Sequence, residues 1–174
     1  MLEWIMRLFW KPSLRGFGAS KPDESVKHDI FKVLPAHIEP YFPQYETERS
    51  AGMDVRADVD GFTIIPAAGW KIIPTGLYLS EWFRNLPENV EIQVRSRSGL
   101  ALKKGLFVLN SPGTIDQDYP GEICVILANH SDEDVRIQAG DRIAQLVISP
   151  VASPIDARYY KNVTRTGGFG STGV

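Results

Sequence analysis

Cysteine is nearly missing from this chain. Cys124 is the single one, so no disulfide can close within it. It lies in the apolar run ICVILA, where a buried, unreactive thiol is the expected state rather than a nucleophile. Histidine is almost as scarce, and His28, His37 and His130 lack metal-ligand spacing, which speaks against Zn²⁺. No stretch approaches the ~20 apolar residues of a membrane span. Positive charge is not in surplus either: 19 Lys and Arg stand against 21 Asp and Glu, a formal net charge of −2. Stable nucleic-acid binding, which needs a basic face, is therefore not expected, and an anionic ligand must be held by a local site. The scarcity of cysteine suits a reducing, cytoplasmic compartment.

The 174 residues suffice for one domain plus an extension, with burial of about 70% of the unfolded surface. The N-terminus, MLEWIMRLFW, spaces Glu3, Arg7 and Lys11 four apart among apolar residues, a short amphipathic helix ended by Pro12. Such a helix can touch a membrane surface, dock on a partner or belong to a targeting segment; the plainer reading is a dispensable extension. Residues 13–25 read as a linker rich in Gly, Ser, Lys and Pro. The expected organisation is an extension and linker over 1–26, a β domain over 27–163, and a glycine-rich segment over 164–174.

From Lys27 onward, short β-branched and aromatic segments alternate with Gly, Pro, Asn and Asp. They are Phe62–Pro66, Trp70–Ser80, Val90–Val94, Leu106–Asn110, Glu122–Asn129, Asp134–Gln138 and Arg142–Ser149. DVRIQ alternates like a half-exposed strand, whereas ICVILA is apolar throughout and belongs in a sandwich core or a subunit interface. One helix is expected in the body, Ser98 to Gly105, opened by Ser98 as N-cap and closed by Gly105. No amphipathic helices alternate with the strands, so the expected class is all-β, a barrel or jelly roll.

Four stretches carry chemistry. In NSPGTIDQDYPG (Asn110–Gly121), Asp116 sits on a constrained hairpin, either as a turn-former or as a general base within reach of a water. Tyr119 beside it is a packed aromatic or the cover of a sugar face. Arg97, Ser98 and Gly99 open the short helix and form a plausible phosphate site, although Ser is also simply a good cap. Gln145 in RIAQLVI shares a face with Ile143 and Val147, and its amide must find a backbone group or a ligand. The tail RTGGFGSTGV contains a formal GxGxxG, but neither strand nor helix frames it, so a dinucleotide fingerprint is rejected. A tail that orders on binding would gain stacking from Phe169 and a charged contact from Arg165.

Taken in order, these stretches resemble the five conserved blocks of the trimeric dUTPases: Ala51–Asp58, Arg97–Gly105, Asn110–Ile123, Gly140–Ile148 and Arg165–Gly173. The resemblance runs from Ser50 to the C-terminus. It implies a distorted β jelly roll of the dUTPase type with a flexible C-terminal arm, a homotrimer with active sites at subunit interfaces, and hydrolysis of dUTP to dUMP and pyrophosphate with Mg²⁺. That activity limits uracil incorporation into DNA and supplies dUMP for thymidylate synthesis.

Carried over residue by residue, the resemblance makes Asp116 the base for the attacking water and a partner of the deoxyribose hydroxyl. It places Tyr119 under the sugar to exclude ribose. Asn110, Thr114, Ile115 and the strand near Cys124 would read uracil. Arg97, Ser98 and Gly99 would bind phosphates, with Gln145 supporting the phosphates or the water. Asp54 would hold water ligands of Mg²⁺. Arg165, Phe169, Gly170, Ser171 and Thr172 would close the site as a lid.

Two features depart from the pattern: RTGGF is one residue short between Arg165 and the Gly-Gly-Phe, and Ser80–Asn89 is a longer loop than usual. The rival of the same fold, dCTP deaminase, needs a glutamate where this chain has Ile126, which cannot shuttle a proton. A second rival is a non-enzymatic nucleotide-responsive regulator, for which Asp116 and a complete tail would be superfluous. An unrelated jelly-roll structural protein would account for the strands but not for five ordered blocks.

Overall fold

A computed structural model describes residues 29–87, 89–152 and 167–168. The N-terminal amphipathic stretch, the linker, and Arg165, Phe169, Gly170, Ser171 and Thr172 lie outside the described residues.

The strands are β1 (Phe31–Val33), β2 (Met53–Arg56), β3 (Phe62–Ile65), β4 (Trp70–Ile73), β5 (Leu77–Leu79), β6 (Val90–Arg95), β7 (Leu106–Val108), β8 (Gly113–Asp116), β9 (Val125–Asn129), β10 (Val135–Gln138) and β11 (Arg142–Pro150). They form antiparallel sheets ordered β2-β11-β6-β8, β4-β9-β7, β1-β5 and β10-β3. The all-β expectation holds. Among the described residues, however, the sheets do not close into a barrel.

One core ties the sheets together. Val55, Ile65, Ile73, Leu77, Ile92, Leu106, Ile123, Leu127, Ile137, Ile143 and Leu146 are all fully enclosed. Each such side chain contributes roughly 1.5–3 kcal/mol relative to exposure. Alternation explains most of them: β10 buries Ile137 and leaves Arg136 and Gln138 outside, as its sequence pattern requires.

Several expectations need correction. Trp70–Ser80 is two strands, because the chain turns at Pro74–Gly76 and Thr75 hydrogen-bonds the Ile123 carbonyl through its hydroxyl. β1, β2 and β8 are additional strands, the last two inside stretches read only as motifs. Asp116 therefore ends a strand paired with β6, and its carbonyl accepts the Tyr119 N–H to close a turn. It does not sit in a hairpin between two strands paired with each other.

The expected helix appears as α2 (Ser98–Lys104), closed by Gly105 in the left-handed region (φ 63°), where a missing Cβ removes the steric cost. Its N-cap is Arg97 with no side-chain cap, and Ser98 is already helical. A second helix, α1 (Glu81–Arg84), adds to the one expected; Ser80 caps it by accepting the Phe83 N–H, and Phe83 anchors it in the core.

The pairing of β11 with β2 shifts register between Arg142 and Ala144. This irregularity buries Ile143 and Ala144 in succession. Gln145 consequently does not share its face with Ile143, and emerges half-buried opposite Asp54.

Candidate active site

Directly paired residues of an antiparallel sheet point to the same face. Along β2-β11-β6-β8 that rule places Asp54, Gln145 and Arg95 in one row, Gln93 and Thr114 in the next, and Glu91 and Asp116 in the last. Apart from Val147 in the middle row, the side chains on this face of the largest sheet are polar, with Asp54 on one edge strand and Asp116 on the other.

At the first edge Asp54 is 7% exposed. Arg97 grips it with two bonds, Nε to Oδ1 at 3.0 Å and Nη2 to Oδ2 at 3.3 Å. Arg142 donates Nη1 to Oδ2 at 3.0 Å, and Gln145 donates Nε2 to Oδ1 at 3.3 Å. Four donors match the four lone-pair sites of a carboxylate. Arg142 also reaches the exposed Glu46 at 2.9 Å, while Arg97 donates Nη1 to the Arg142 carbonyl at 3.2 Å.

The cluster brings together the expected Asp54, Arg97 and Gln145, and it adds Arg142. The signal for Arg142 was available, since it stands in the GDRIAQ block three residues before Gln145. Ser98 and Gly99 follow Arg97 at the start of α2 and are exposed. Asp58, in the same block as Asp54, serves the fold instead, because its buried carboxylate accepts the N–H groups of Ala36, His37 and Ile38.

At the other edge Asp116 is exposed and Tyr119 is buried. The Tyr119 hydroxyl donates to the Glu122 carbonyl at 3.0 Å. The ring is closely approached from two glycines: a Cβ at Gly121 would stand 2.8 Å from Oη, and one at Gly168 would stand 2.6 Å from Cε2. Gly168 of the tail therefore packs directly against Tyr119. Thr114 is exposed, Ile115 is half-buried, and Asn110 lies over Gly113, where a Cβ would come within 3.0 Å of its Nδ2.

Cys124 is half-buried between Ile123 and β9. Burial first, and the Glu122 carboxylate second, push its thiol up to about 11. The folded chain holds this proton to higher pH than the unfolded chain. The associated stability is complete below about pH 9 and is lost as the pH rises through about 11. At pH 8 the native thiol should react with iodoacetamide at least tenfold more slowly than free cysteine. Equal rates, measured by mass spectrometry, would contradict a shielded thiol.

Among the described residues no three carboxylate, imidazole or thiol groups converge as a metal site, and no helix is long and apolar enough to cross a membrane.

The two clusters are far apart in one chain. Three inter-strand steps of about 4.8 Å and four residues of about 3.4 Å rise separate Asp116 from Asp54, roughly 20 Å along the sheet.

Comparison with known proteins agrees with the blocks. A sequence profile described as dUTPase matches residues 39–173. A deoxyuridine 5'-triphosphate nucleotidohydrolase of Maricaulis maris is 48% identical over 154 residues, covering 82% of this chain and 98% of that relative. The crystal structure of a dUTPase from Streptococcus mutans superposes with a TM-score of 0.59 at 27% identity, covering 72% of this chain and 98% of the other. At 21% identity and a TM-score of 0.60, a mutant dUTPase from phage phi11 of S. aureus shares the fold; 79% of this chain and 97% of that one are covered, and that protein is described with a structural Mg(II) ion.

Proposed function

Since this chain belongs to the dUTPase family, we propose that it hydrolyses dUTP to dUMP and pyrophosphate by attack of water on the α-phosphorus. The turn after β8 carries the reading. It holds an exposed carboxylate, Asp116, three residues from a buried ring, Tyr119, and the Tyr119 N–H to Asp116 C=O bond of 3.0 Å fixes their separation. In this role Asp116 takes the proton of the water as its oxygen bonds to phosphorus, and the bridging oxygen leaves with pyrophosphate. Asp116 also meets the deoxyribose hydroxyl, and Tyr119 lies against the sugar where a 2′-hydroxyl has no room. Asn110, Thr114, Ile115 and the main chain near Cys124 read the uracil edge.

The phosphates belong to Arg97, Ser98 and Gly99, with Gln145 in support. A base must lie within hydrogen-bond reach of its proton, directly or through one water. A separation of roughly 20 Å within one sheet prevents Asp116 from acting on a phosphate held by Arg97 of the same chain. This favours sites shared between subunits of a homotrimer, one subunit supplying the Arg97 cluster and another the Asp116 turn. The segment 164–174, with Arg165, Phe169, Gly170, Ser171 and Thr172, is the proposed lid on the 27–163 domain.

Mg²⁺ is the metal we assign; family membership and the neighbour described with Mg(II) favour a metal-dependent enzyme. Direct ligation by Asp54 does not fit, because four donors already use its two oxygens. Contact through a metal-bound water fits if the 3.3 Å Gln145 contact is exchanged for it. When bound, the ion would neutralise charge on the triphosphate. A cytoplasmic location is in keeping with the single, half-buried cysteine.

Pyrophosphate release from dUTP, dTTP, dCTP and UTP with Mg²⁺ tests the reading. The dUTP rate should exceed each other rate by at least tenfold, since unpaired buried groups cost about 1–3 kcal/mol each when the wrong base enters. Ammonia release from dCTP would establish the deaminase instead, and binding of dUTP without turnover would establish a regulator.

A further inference from the structure

The loop Ser80–Asn89 touches the proposed catalytic turn through one side chain in particular. Gln117, between Asp116 and Asp118, donates its amide Nε2 to the carbonyls of Leu86 at 2.9 Å and Phe83 at 3.2 Å. Its Oε1 accepts the Val90 N–H at 3.4 Å. The Phe83 carbonyl is one of the last in α1 and also accepts the Leu86 N–H at 3.3 Å, whereas the Leu86 carbonyl lies just beyond the C-cap Asn85. The other anchors of the loop are firm: Phe83 is in the core, and the Val151 N–H bonds the Asn89 carbonyl at 2.9 Å. A cavity of about 330 Å³, lined by Glu81, Arg84, Asn85 and Asp118, opens beside the turn.

We infer that Gln117 is a positioning residue: by capping α1 it locks the turn that carries Asp116 and Tyr119 onto the core-anchored loop. The consequence for turnover rests on the proposed hydrolysis, whereas the mechanical lock does not. A turn free to shift by an ångström misplaces the base relative to its water, a kind of error that can cost up to about a hundredfold. The cost should appear in kcat, because Gln117 touches no part of the nucleotide in this reading.

The test combines kinetics with amide hydrogen exchange on the full chain. In Gln117→Ala, kcat for dUTP should fall about tenfold with KM within about twofold. Exchange of the Tyr119 amide, bonded to the Asp116 carbonyl, should quicken at least tenfold while β6, β9 and β11 stay protected. Gln117→Glu keeps the shape and the acceptor but removes both donors, and should be as impaired as Gln117→Ala. Gln117→Lys restores donors to the two carbonyls and should recover kcat to within about threefold.

Unchanged Tyr119 exchange in Gln117→Ala overturns the lock. So does a quickening shared by every strand, which would mark a general loss of stability. Full activity of Gln117→Glu would show that the donors are irrelevant. If the unaltered chain releases no pyrophosphate from dUTP, the functional reading fails and the exchange arm still decides the lock.

Discussion

Asp116→Asn should leave the fold and dUTP affinity intact while removing two to four orders of magnitude of turnover, the usual worth of a general base. The side chain is exposed at the end of β8, opposite Glu91, so an isosteric amide opens no cavity there. The loss should sit in kcat and leave KM nearly unmoved, because only the transition state needs the proton accepted. Pyrophosphate release measured beside equilibrium binding of a non-hydrolysable dUTP analogue separates the two. Retention of more than about a tenth of the original kcat would remove Asp116 from the role of base.

Asp54→Ala should cost less activity, but stability as well, for a different reason. The substitution removes the acceptor of four hydrogen bonds and leaves two guanidinium groups facing each other without the charge between them. Breaking a buried pair costs about 3–5 kcal/mol. Arg97 and Arg142 are 22% and 41% exposed, so solvent screening lowers the expected loss of stability to about 1–3 kcal/mol. Arg97 would no longer be held in its two-pronged orientation, and kcat/KM should fall about ten- to a hundredfold.

A double-mutant cycle identifies the route. If Asp54 acts by orienting Arg97, then Asp54→Ala combined with Arg97→Ala should be no worse than Arg97→Ala alone. Additive losses together with a raised Mg²⁺ requirement would place Asp54 on the metal's water shell instead.

Legibility from the sequence differed from residue to residue for physical reasons. The strands β3, β6, β9 and β10 were readable because their burial follows a period of two or an unbroken apolar run. β2 and β8 are hard to see as strands because their residues carry the marks of motif and turn. α1 is four residues long, and its signal, a capping Ser80 followed by Glu81, is common wherever a chain turns. Strict alternation puts Ile143 beside Gln145; the irregular pairing near Arg142 reverses that. Arg142 and Gln117 lie in blocks that stand out in the sequence, but nothing in one dimension says which arginine meets Asp54 or which amide meets a helix end.

By itself the sequence determined the class of fold, through β-branched segments punctuated by turn formers. It also determined the inventory of chemistry: an acid three residues before an aromatic, an Arg-Ser-Gly at the start of a short helix, and a glycine-rich tail. These are local properties, decided by side-chain type and spacing. Tertiary structure alone decided where each group stands. Asp54 becomes the acceptor between two arginines because edge strand β2 pairs with β11, which carries Arg142, and the chain leaving β6 brings Arg97 to the same place at the start of α2; Asp116 is sent to the opposite edge because β8 pairs with β6. Long-range pairing sets those distances, and a separation of roughly 20 Å within one sheet is the observation on which the proposal of a site shared between chains rests.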